Sequence, residues 1–125
     1  MTAFAFQSVA GTTISFNPLT DSLSFVSTYS ASKLTFSVSG SDLLVGVLGS
    51  SQTVRLSSLS YASLKTANFI FADNSLFMPA TSGNDSIIGS NSSDFIDLSL
   101  GGIDSATGGA GADVFVLGNT LQTTD

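Results

Sequence analysis

Four aspartates in the C-terminal half stand at a nearly fixed interval, and that interval constrains the chain more than any other feature. Asp85, Asp94, Asp104 and Asp113 are spaced 9, 10 and 9 residues apart. Each is followed two positions later by an apolar residue (Ile87, Ile96, Ala106, Phe115) and preceded at two positions by glycine or serine (Gly83, Ser92, Gly102, Gly111). Six glycine-rich residues make a tight turn that uses positive φ angles, and the next three make a minimal strand with a single inward side chain. Two such units close a coil of about 18 residues, so turns on one side stack at roughly the 4.8 Å spacing of paired strands.

The fourth copy, Gly108-Gly109-Ala110-Gly111-Ala112-Asp113-Val114-Phe115-Val116, fits the nonapeptide GGxGxDxUx without a mismatch. The segment 80–117 therefore resembles the hemolysin-type calcium-binding repeats of RTX proteins, whose fold is a parallel β-roll. Calcium suits stacked turns, because it takes 6 to 8 hard oxygen ligands and accepts backbone carbonyls beside carboxylates. The resemblance implies two Ca2+ sites, each shared between turns two repeats apart. One joins the carbonyls of Ala80, Ser82 and Asn84 to Leu100, Gly102 and the Asp104 carboxylate. The other joins Gly89, Asn91 and Ser93 to Gly109, Gly111 and the Asp113 carboxylate, and Asp85 and Asp94 count among the implied metal residues as members of the same ladder. The first site departs from the family at Thr81 and Leu100, where glycine is usual, and carries one extra residue between Asp94 and Asp104; the second departs at Ser90 and Ser92. Asp97 is off-register and reads as a solvated turn residue.

Charge agrees with such a segment. All nine acids are aspartate and the three cations are Lys33, Arg55 and Lys65. Residues 1–65 hold those cations against Asp21 and Asp42, whereas residues 66–125 hold seven acids and no cation. A divalent metal would neutralise that half, and nucleic acid, which needs a basic patch, would not bind it. With no cysteine and no histidine, a disulfide framework and the usual zinc ligands are both excluded.

The same absences argue against an enzyme. A serine nucleophile would have only Lys33 or Lys65 to draw on as its base, Asp94 and Asp97 as a glycosidase pair would need an apolar pocket around one of them, and Gly108-Gly109-Ala110-Gly111 lacks the lysine of a phosphate-binding loop. Asn84-Asp85-Ser86 and Asn91-Ser92-Ser93 match the glycosylation triplet, which a chain this rich in serine produces by coincidence.

Residues 1–79 read as a small antiparallel β-domain. Phe4 and Phe6 share a face by alternation. Thr13-Ile14-Ser15-Phe16, Ser22-Leu23-Ser24-Phe25 and Lys33-Leu34-Thr35-Phe36 each set an aliphatic residue and a phenylalanine two apart, the pattern of strands with one buried face. Pro18 suits a tight turn, which predicts a hairpin between the first two strings. Leu43 to Val47 and Thr53 to Leu56 read as a strand pair joined by Gly49-Ser50-Ser51, Leu59 to Lys65 as a short helix, and Asn68 to Met78 as a hairpin around Asp73-Asn74. This block also looks like the module that often precedes RTX repeats in large secreted bacterial proteins.

The expected fold is thus all-β: the antiparallel domain at 1–79, an RTX-like calcium-binding roll at 80–117 and a polar tail at 118–125. The N-terminus has neither the positive region nor the apolar core of a secretory signal peptide, and no run approaches the 18 apolar residues of a membrane span. The resemblance implies type I export, read at the C-terminus, and a place outside the cell or on its surface. The expected function is a calcium-binding structural module of a surface layer, filament or adhesin. Two coils are few for a repeat array, so it is expected to form a homo-oligomer or polymer when calcium orders it. The alternative is an ancillary RTX domain of a larger secreted enzyme or toxin; only twelve residues follow Asp113, which also fits a piece of a longer chain.

Overall fold

The computed structural model describes residues 2–118; of the expected polar tail, all but Gly118 lies outside the described residues. The strands in order are β1 (Ala3–Ala5), β2 (Thr13–Ile14), β3 (Ser22–Phe25), β4 (Leu34–Ser39), β5 (Asp42–Val47) and β6 (Thr53–Leu56). They continue as β7 (Phe69–Phe71), β8 (Phe77–Pro79), β9 (Ser86–Ile88), β10 (Phe95–Leu98), β11 (Ser105–Thr107) and β12 (Val114–Leu117). One four-residue α-helix, α1 (Phe6–Val9), and three single 3-10 turns complete the described residues, so the chain is all-β. No helix among them is long and apolar enough to cross a membrane.

The C-terminal strands form two parallel ladders that the chain visits alternately. One ladder runs β8, β10, β12, with Met78, Ile96 and Phe115 in register; the other pairs β9 with β11, with Ile87 opposite Ala106. Period-2 alternation gives the first ladder two faces. Phe77, Phe95 and Val114 join the main apolar cluster on one side. Ile96, fully buried yet outside that cluster, belongs to the other face with Met78 and Phe115.

The N-terminal block corrects the antiparallel expectation. Its antiparallel part is the run β4, β5, β6, which includes the expected pair across Gly49. The rest is parallel: β1 and β7 flank β3, and β2 lies beside β6. The hairpin expected across Pro18 does not form. Asp21 closes that turn instead, taking the Asn17 N–H at 2.8 Å, and β2 and β3 go to different sheets. The hairpin expected around Asp73-Asn74 is likewise absent, because β7 pairs with β3 and β8 with β10. Asn74 does adopt a positive φ of 64° there. Strand pairing thus crosses position 79, with β8 the first rung of the later ladder. Phe6 opens α1 instead of alternating with Phe4, and the helix expected from Leu59 to Lys65 is one 3-10 turn at Tyr61–Ser63.

The phenylalanine strings do form the core. Leu23, Phe16, Phe25 and Leu34 are buried. Phe25 stacks on Phe6 and Phe71 with ring centroids 4.9 and 4.6 Å away. Phe36 of the β4–β5 hairpin packs against Phe69, Phe77 and Phe95, tying the hairpin to both groups of strands. Such aromatic pairs add about 0.5–1.5 kcal/mol each beyond their burial.

Candidate metal centre

The turns between the two ladders carry the four periodic aspartates, and each carboxylate accepts backbone N–H groups in a repeated way. Asp85 closes its own turn, Oδ2 accepting from Thr81 N at 2.8 Å and both oxygens accepting from the Thr81 hydroxyl. Asp94 does the same with Ser90 N at 2.6 Å and the Ser90 hydroxyl, and its Oδ1 also takes Leu76 N from the coil before. Asp104 Oδ1 accepts Asp85 N at 3.0 Å and Asp113 Oδ1 accepts Asp94 N at 2.8 Å, both 19 residues back. Asp94 is fully buried and Asp104 nearly so; no buried side-chain polar atom among the described residues lacks a partner, as burial of charge requires.

These bonds divide the four. Asp85 and Asp94 use both oxygens inside the fold. Among the described residues no donor bonds the second oxygen of Asp104 or Asp113, the carboxylates placed directly in the two implied sites.

The turns that would share an ion are adjacent. Asn84 Oδ1 accepts Ile103 N at 2.8 Å, so the 80–85 turn lies against the turn holding Gly102 and Asp104. Ser93 Oγ accepts Ala112 N at 3.0 Å, which sets the 89–94 turn against Gly109, Gly111 and Asp113. Glycine is needed at the contacts: a Cβ on Gly111 would sit 2.6 Å from the Ser92 carbonyl oxygen, and one on Gly102 would collide with that of Gly83. Gly109 lies under the Ser90 carbonyl and Gly89 against Gly108. Both Gly102 and Gly111 also have φ near +100°, a region closed to other residues. Ser82 and Asn91 are exposed, Ala80 is buried, Leu100 is half exposed, and the Ser93 carbonyl already accepts Ser32 N.

No three His, Cys, Asp or Glu side chains converge among the described residues. The implied sites do not call for such a cluster, since each combines one carboxylate with carbonyls. The donor set is entirely hard oxygen, and the turns approach so closely that a Cβ would fill the space between them. Both features fit a calcium-sized cation, and the carboxylates retain unused lone pairs.

Asp97 is a correction. It is 6% exposed, lies on β10, and accepts the Tyr61 hydroxyl and Ser99 N. Alternation explains this: Asp97 shares a face with Phe95, the face against the N-terminal block. The contribution of Thr81 and Ser90 was also not read from the sequence, although a hydroxyl residue four before the aspartate was there to see.

No protein-family model, curated protein or solved structure matches this chain.

Proposed function

We propose that the chain is a calcium-binding extracellular structural module whose 80–117 segment is an RTX-like parallel β-roll, ordered by calcium and assembling with itself in a surface layer, filament or adhesin. The observation that carries the reading is the unused oxygen on Asp104 and on Asp113, each beside a stacked turn of backbone carbonyls whose approach depends on glycine. The residues that would hold the ions are those carboxylates with the carbonyls of Ala80, Ser82, Asn84, Leu100 and Gly102 for one, and of Gly89, Asn91, Ser93, Gly109 and Gly111 for the other. The ion would supply charge neutralisation and a fixed bridge between turns; the protein side chains already supply the register. An acidic segment with no cation of its own gains most from such neutralisation.

Self-association has its own support. β12 is the last strand of its ladder, and among the described residues nothing pairs with its outer edge. Phe115 and Leu117 on that strand are 43% and 51% exposed. Unpaired strand edges of this kind recruit another chain.

Calcium titration followed by circular dichroism and calorimetry tests the binding. With a Kd of about 0.1 mM, a tenfold excess of calcium stabilises the fold by about 1.4 kcal/mol per site. An unchanged spectrum, melting temperature and proteolysis of 80–117 in chelator and in millimolar calcium would remove the reading.

A further inference from the structure

Asp21, outside the periodic series, combines two backbone bonds that the periodic aspartates make separately. Its Oδ2 accepts the N–H four residues before it, Asn17 N at 2.8 Å, as Asp85 accepts Thr81 N and Asp94 accepts Ser90 N. Its Oδ1 accepts the N–H 19 residues before it, Thr2 N at 2.9 Å, as Asp104 accepts Asp85 N and Asp113 accepts Asp94 N. The strand that follows repeats the correspondence. Leu23, two residues after Asp21, is fully buried and lies opposite Phe4, 19 residues back, just as Phe115 lies opposite Ile96. Between β1 and β3 the chain passes through β2, in another sheet, as it passes through β11 between β10 and β12.

What differs is the group that meets this turn on its far side. Asn68, 2% exposed, donates through Nδ2 to the carbonyl oxygens of Pro18 at 2.8 Å and Asp21 at 2.9 Å, while its Oδ1 accepts Lys65 N at 2.7 Å. Pro18 stands three before Asp21, as Ser82 stands before Asp85 and Asn91 before Asp94. The Ser82 and Asn91 carbonyls are assigned above to the cations, whereas the counterparts of the Asp21 carbonyl, those of Asp85 and Asp94, accept Ser105 N and Val114 N. A carboxamide N–H2 presents two positively polarised hydrogens to two carbonyl oxygens and needs no ion.

We infer that Asn17–Asp21 is a further copy of the cation-binding turn, closed by the Asn68 carboxamide in place of a metal ion, so that the N-terminal coils fold without calcium and template the coils that need it. The equivalence with a cation site and the last clause rest on the calcium reading of 80–117; the closure of the Asn17–Asp21 turn by Asn68 does not. The β4–β5 hairpin is then an insertion between coils, which is why β3 meets β7 from so far along the chain. The block that precedes the periodic aspartates thereby becomes the metal-independent end of one continuous stack.

Hydrogen exchange of the full chain, read by mass spectrometry with chelator and with calcium, tests this. In chelator, amides of β3 and β7 should stay protected by about a hundredfold or more while those of 80–117 exchange; calcium should raise only the latter, by about tenfold or more. Parallel gain at β3 and β7 would overturn the inference. Asn68→Ala should lower protection of β3 and β7 equally with and without calcium, and no loss would sink the role of Asn68. Asn68→Asp sets a carboxylate against two carbonyl oxygens, so protection of β3 and β7 should become calcium-dependent. Protection in both conditions, or loss in both, would refute the equivalence of carboxamide and cation. If 80–117 is equally protected with and without calcium in the unaltered chain, the calcium reading fails, and Asn68→Ala still decides the part played by Asn68.

Discussion

Tyr61 donates its phenolic hydrogen to Oδ2 of Asp97 at 2.5 Å, joining the 3-10 turn after β6 to the middle strand of the first C-terminal ladder. Burial first, and then this bond, push the Tyr61 phenol far above its usual range. The pair stands beside Phe36, Phe77 and Phe95, so it is the polar member of an otherwise aromatic seam.

Tyr61→Phe is therefore expected to destabilise the protein by about 1–3 kcal/mol, since it leaves a buried carboxylate short of a donor. Asp97→Ala should cost as much as Asp113→Ala in the absence of calcium and should leave calcium affinity intact. Urea denaturation with and without chelator measures both. A loss below about 0.5 kcal/mol for Tyr61→Phe would mark the bond as a bystander.

The raised phenol also sets an alkaline limit. A group whose folded pKa lies above its unfolded value contributes stability below the unfolded value, about 10 for tyrosine, and loses it as pH rises further. Unfolding free energy should fall above about pH 10 in the native chain and less steeply in Tyr61→Phe.

At the acid end the sign reverses. Backbone N–H groups of Asn17 and Thr2 hold Asp21 below the usual carboxylate range, and Ser58 N–H with Arg55 does the same for Asp42. Their contributions are complete above about pH 4 and vanish as pH drops through the folded values. Urea midpoints from pH 7 to pH 2.5 should decline below pH 4, with a shallower decline for Asp21→Asn. A flat profile would show that these bonds persist in the unfolded chain or carry no weight.

Close stacking of the turns predicts a contrast between glycines. Gly111→Ala should cost about 1–3 kcal/mol and weaken calcium binding, because its Cβ meets the Ser92 carbonyl as well as a positive φ. Gly40→Ala meets nothing within 4 Å and should show only the cost of its φ of 62°, about 1–2 kcal/mol, with calcium binding unchanged. Calorimetric titration of the two variants separates strain from loss of the site.

Assembly should depend on the outer edge of β12. Phe115→Lys or Leu117→Lys is expected to abolish calcium-induced growth in light scattering and electron microscopy while leaving calcium binding in place. Asp104→Ala/Asp113→Ala should abolish both. A protein that stays monomeric at millimolar calcium and high concentration would remove the building-block reading and leave the binding one.

The C-terminal stack was legible because its aspartates and its apolar residues at the second position after each are nearly periodic, and parallel pairing follows from that period. The N-terminal coils were not. Pro18 and Leu19 occupy positions where the later turns use small residues, and the β4–β5 insert puts Phe69, the partner of Leu23, beyond the reach of any short period. Local pairing then looked sufficient, and hairpins were expected where Asp21 and Asn74 in fact turn the chain toward distant partners. Asp97 was misread for a related reason: spacing shows which residues share a turn, but a strand flanked by two packed layers has no solvated side on which to leave a carboxylate.

The backbone bonds of the aspartates have a genetic consequence. Because Asp104 and Asp113 each reach back 19 residues, every unit carries its own attachment to the one before it and asks for no new partner elsewhere. Tandem duplication of a 19-residue stretch would lengthen such a stack in frame with its own geometry, and deletion of one would shorten it without unpicking the rest. A chain organised this way can change its length by whole coils and keep the geometry of the coils that remain.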